Sequence, residues 1–166
     1  MKKIKLNEIG ACITSALEEK KKNILFVSNT LKYENALHWF EDNKDYKAFR
    51  FATPQPLHEE KNGLLIENRN YCVIDDKTLN CLNDEKAILF VNAFSEKCIY
   101  GFDEYIHILK DRFFINKFPD DINVKFSLEK LALFIAFTAP ADKKDDWASL
   151  DEKYYSLFDE IYILDK

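Results

Sequence analysis

Glycine and proline are scarce, at three and four of 166 residues. So few chain breakers argue against a disordered polypeptide and against a barrel made of many tight turns. An excess of basic charge is also missing: 24 Lys and Arg face 29 Asp and Glu, for a formal charge of -5. Nonspecific binding to nucleic acid or to an anionic membrane surface is therefore disfavoured, because both need positive potential. No run approaches the ~20 apolar residues of a membrane helix. The start, residues 1–6, is basic without the apolar core of a signal peptide. None of the four cysteines (Cys12, Cys72, Cys81, Cys98) belongs to a CxxC pair, and no histidine stands at metal-ligand spacing beside one. Free thiols in a reducing compartment follow, so the expected location is the cytoplasm.

What is present is apolar and aromatic. Hydrophobic residues make up 47% of the chain, and fourteen Phe and eight Tyr supply a large payload for a core. Three short apolar runs stand out: residues 23–27 (Asn-Ile-Leu-Phe-Val), 87–93 (Ala-Ile-Leu-Phe-Val-Asn-Ala) and 131–137 (Leu-Ala-Leu-Phe-Ile-Ala-Phe). Runs of this length without polar alternation suit strands buried on both faces of a parallel sheet. The second run, ending in Asn92 and Ala93, is read as the centre of that sheet.

Helical periodicity falls between the runs. Leu6, Ile9, Ile13, Ala16 and Leu17 share one helical face, with Asn7 as a candidate cap. Residues 33–42 read as a helix with Ala36, Leu37 and Phe40 inward and Trp39 at its margin. Residues 47–51 alternate as a strand. Asn62-Gly63 is a turn signal between possible strands, and residues 64–66 and 71–74 suit short strands. Asp76 is placed to cap a short helix to Leu82. Residues 102–113 read as a helix, 150–158 as a last helix and 161–164 as a final strand. The alternation predicts one α/β domain over residues 1–166, a three-layer αβα arrangement on a mainly parallel sheet of about five strands.

This succession resembles the core α/β subdomain of AAA+ P-loop ATPases, nearest the MoxR-like group. Residues 135–142 (Ile-Ala-Phe-Thr-Ala-Pro-Ala-Asp) stand where that family has its sensor-1 strand and an Ala-Thr-Asn-Pro pattern. Residues 150–158 (Leu-Asp-Glu-Lys-Tyr-Tyr-Ser-Leu-Phe) stand where its helix ends in Arg-Phe. The resemblance rests on order and apolar pattern over nearly the whole chain, and the family's defining motifs are absent. A phosphate loop needs glycines for backbone amides to wrap phosphate, a lysine to neutralise it and a hydroxyl for magnesium. The matching residues here are Ser28, Asn29, Thr30, Leu31, Lys32, Tyr33, Glu34 and Asn35. They include no glycine, Glu34 falls near the lysine position, and Lys32 lies in another register. Asn92 and Ala93 replace the acids that would hold magnesium and orient water. Ala139 replaces the sensor asparagine and Leu157 the arginine, and the family's helical lid is expected to be missing. The resemblance thus implies a P-loop NTPase-like fold with a vestigial nucleotide pocket at Ser28, Asn29, Thr30, Lys32, Glu34, Asn92 and Thr138. An α/β protein that never carried these motifs fits the same absences.

Other chemistry-bearing residues take bland readings. His38, His58 and His107 are scattered; His107 pairs with Asp103 if both lie on a helix, and His58-Glu59-Glu60 reads as a polar loop. The acid pairs Asp75-Asp76, Asp120-Asp121 and Asp145-Asp146 fall in loops. Ser28 and Ser95 lack a nucleophile's setting, and Cys98 has no activating base. No catalytic residue, metal or cofactor is assigned. Trp147 in a charged loop and the adjacent Tyr154 and Tyr155 are the candidates for partner binding. The functional expectation is a catalytically inactive, ATPase-like domain that acts through a protein partner, either a true AAA+ ATPase or a second copy of itself. Such a domain would be a scaffold, an adaptor, or an inhibitor or immunity-type protein. A nucleotide-binding sensor with an altered pocket is the alternative.

Overall fold

A computed structural model describes residues 1–29, 33–52, 63–67, 84–91, 94, 106–108, 114–116, 130–142 and 149–165. Its centre is a seven-stranded sheet. In chain order the strands are β1 (Lys2–Ile4), β2 (Asn23–Val27), β3 (Lys47–Ala52), β4 (Gly63–Glu67), β5 (Ala87–Val91), β8 (Leu133–Thr138) and β9 (Glu160–Leu164). Their lateral order is β1-β9-β2-β8-β5-β3-β4, and every neighbouring pair is parallel. Two further strands, β6 (Ile106–Ile108) and β7 (Phe114–Asn116), form a separate antiparallel pair.

The three apolar runs behave as such runs should. Every residue of β2, β5 and β8 is buried, because parallel strands are covered on both faces. On one face, Ile24, Phe26, Ile88, Phe90, Leu133, Ile135 and Phe137 pack beneath α1 (Ile9–Glu18) and α2 (Tyr33–Asp42). Register aligns Phe26 with Phe137 on one side and Tyr162 on the other. Their rings stack at 5.2 and 5.3 Å, and Phe90 continues the row at 6.4 Å from Phe137. Each such pair adds about 0.5–1.5 kcal/mol beyond area burial. On the other face Phe134 meets Phe94 at 6.2 Å and Phe158 at 6.5 Å. Phe158 follows a 3₁₀ helix, Glu152–Leu157, which starts at Asp151, whose carboxylate accepts the Lys153 N–H. The chain is therefore a layered α/β fold.

α1 ends in a tight C-terminal motif. Lys20 N–H donates to the Leu17 carbonyl and Lys21 N–H to that of Ala16, at 3.1 and 2.8 Å. This pattern requires a left-handed residue, and Lys20 supplies it at φ 54°. α1 and α2 touch through Trp39, whose indole N–H donates to Thr14 Oγ1 at 2.9 Å. Trp39 is thus buried between the helices rather than at a margin. The close approach uses Gly10, where a Cβ would sit 3.5 Å from the Trp39 ring.

Several expectations are corrected. The middle strand of the seven is β8; β5 lies between β8 and β3. The sheet has two more strands than the expected five or so, and one of them, β1, was unforeseen. Three residues with one buried side chain leave no periodicity to read. Gly63 opens β4, which runs parallel to β3, and Asn62 lies outside the described residues. Residues 106–108 are strand, not helix; Ile-His-Ile alternates with period two, and Asp103, the expected partner of His107, lies outside the described residues. The last helix is present over 152–157, shorter than the expected 150–158, and winds as a 3₁₀ helix. Asn7 caps no helix: it lies inside a 3₁₀ turn, Leu6–Glu8, entered from Lys5, whose N–H donates to the Glu8 carboxylate, and α1 follows with Glu8 before it. The expected elements at 71–74 and 76–82 lie outside the described residues. Among the described residues, no helix is long and apolar enough to cross a membrane.

Candidate functional site

Parallel strands bring all their carboxyl ends to one edge. In sheets of this kind ligands bind beyond that edge, where neighbouring strands send the chain to opposite faces. β2 and β8 form such a place. After β2 the chain enters α2, on the face shared with α1. After β8 it leads to residues 149–158, and Phe158 packs on the opposite face. The register pairs Val27 with Thr138, so Ser28 and Thr138 are brought together.

A backbone hydrogen bond joins the two strands at this edge. The Ser28 N–H donates to the Thr138 carbonyl at 2.9 Å. Both residues are buried, and Thr138 Oγ1 lies 3.3 Å from the Ala139 carbonyl, to which it donates. Ser28 is therefore held by strand-like pairing, and its amide is not turned outward as a phosphate donor. Asn29 follows and is exposed. Beside β8, the Phe94 N–H donates to the Phe137 carbonyl at 2.7 Å and its ring folds into the core. Ala139 is buried and bridges in parallel to Ser149.

Of the residues expected to form a pocket, Ser28, Asn29 and Thr138 thus meet at one edge. Glu34 lies in the first turn of α2. Thr30, Lys32 and Asn92 lie outside the described residues, as does Trp147. Of the tyrosine pair, Tyr155 turns inward; burial first, then the charges of Glu152, Asp142 and Asp151, push its hydroxyl pKa up. Tyr154 is half-buried beneath the Lys153 ammonium, 5.0 Å from its ring centre. The described groups at the β2–β8 edge, Ser28, Asn29 and Thr138, are uncharged hydrogen-bonding side chains. They can orient a polar group, but they neutralise no phosphate. Among the described residues, no three His, Cys, Asp or Glu side chains converge as a metal site.

Three features escaped the sequence reading. At the opposite edge of the sheet, Asn23 and Asp159 clamp β2 to β9. Asp159 Oδ2 accepts the Lys22 and Asn23 N–H groups at 2.7 and 3.3 Å, and Asn23 Oδ1 accepts the Asp159 N–H at 3.0 Å. Asn23 Nδ2 donates to the Leu157 carbonyl at 3.1 Å. A polar residue opening an apolar run was the available signal. The second feature is the pairing of Cys12 with Tyr162. Burial, aided by Glu8, raises the Cys12 thiol to about 11. Burial, aided by Cys12, raises Tyr162 to about 12. The third is an open groove of about 1090 Å³ between α1 and α2, with Leu6, Asn35, His38 and Trp39 in its lining. There Asn35 Nδ2 is buried without an acceptor among the described residues.

Comparison with known proteins gives one partial likeness. No family model and no solved structure matches the chain. Over 126 residues it is 23% identical to the 3'-5' exonuclease DinG of Staphylococcus epidermidis. The match covers 70% of this chain and 14% of that protein, so the chain spans a small part of its relative's length.

Proposed function

We propose that this chain is a P-loop NTPase-like domain, related in pattern to the AAA+ core, that has no hydrolytic activity and works by binding a protein. The single observation that carries this reading is the β2–β8 edge. Where a nucleotide hydrolase would turn a glycine-rich loop outward, Ser28 is buried and its amide is hydrogen-bonded to Thr138. A site able to split a triphosphate needs charge where the γ-phosphate and magnesium sit. The described residues there are neutral, and the sequence places Asn92 and Ala93 where the acids would stand. The partner is a true AAA+ ATPase or a second copy, and the cytoplasm is the proposed compartment, in keeping with a buried free thiol at Cys12. Calorimetric titration with ATP and ADP in magnesium, beside a mass-resolved search for a stable protein complex, tests the reading. It expects no heat of nucleotide binding and a defined complex.

The partial likeness to DinG favours a second reading. The domain would then serve nucleic-acid processing, as one module beside a 3'-5' exonuclease activity. Its acidic charge disfavours grip on the phosphate backbone by the chain itself, so a role through protein contact is common to both readings. Digestion of 3'-labelled DNA by an exonuclease, with and without the chain, separates them. A change in rate or extent supports the second reading.

A further inference from the structure

We draw no further inference here: the strongest candidate, the groove between α1 and α2 lined by Lys5, Leu6, Asn35, His38, Trp39 and Asp165, is an unpartnered helix face, and nothing among the described residues shows what covers it.

Discussion

Lys20 holds a backbone conformation that costs an L-residue about 1–2 kcal/mol and a glycine little. Lys20→Gly is expected to stabilise the chain by up to about 1 kcal/mol, read as a higher denaturation midpoint at unchanged slope. Asn23 and Asp159 act as a unit. Removing Asp159 takes the carboxylate acceptor from the Lys22 and Asn23 N–H groups, and removing the Asn23 amide takes a donor from the Leu157 carbonyl and one of two acceptors from the Asp159 N–H, at about 1.5–3 kcal/mol. Asn23→Ala and Asp159→Ala should each destabilise by that amount, and the double variant by less than their sum. Additivity in urea unfolding would contradict the clamp. Cys12 and Tyr162 are neutral in the folded chain, with pKa values of about 11 and about 12 against ordinary values of 9.0 and 10.0. Once unfolded, they ionise at lower pH. The folded chain then holds more protons, so stability present below pH 9 falls as pH rises toward 11 and 12. Cys12→Ala should make that alkaline fall shallower; an unchanged slope would contradict the buried thiol's part in it.

Among the elements, the buried strands were the most legible, and for a physical reason. A strand covered on both faces has no polar alternation to confuse it, so β2, β5 and β8 showed as plain apolar runs. α2 was legible at both ends because its apolar positions recur at helical spacing. Short elements failed. β1 has three residues, and β6 offers the single alternation Ile106-His107-Ile108, which the helical reading of residues 102–113 outweighed. Lateral order was not legible either: which strand is central depends on crossovers, so β8 and not β5 holds the middle. The two faces of the sheet can be tested separately. Phe137 packs with Phe26 and Phe90 under the helices, while Phe94 packs with Phe134 and Phe158 on the other side. Phe137→Ala and Phe94→Ala should each cost about 3–5 kcal/mol. A loss under about 1 kcal/mol at Phe94 would mean that the second layer contributes little.

For the molecule as a whole, the sequence named Ser28 and Thr138 but could not show that they meet. Ser28 and Thr138 are more than a hundred positions apart, and only the register of β2 with β8 joins them. The missing glycines and acids were visible in the sequence, whereas the hydrogen bond that commits the Ser28 amide was not. If the proposed reading is right, a chain whose described groups at the β2–β8 edge are uncharged should have no use for ATP. The most direct measurement is phosphate release from magnesium ATP by the purified chain, run beside Ser28→Ala and Asn92→Ala variants. The account predicts that all three match a protein-free control. Turnover by the unaltered chain that either substitution abolishes would contradict it.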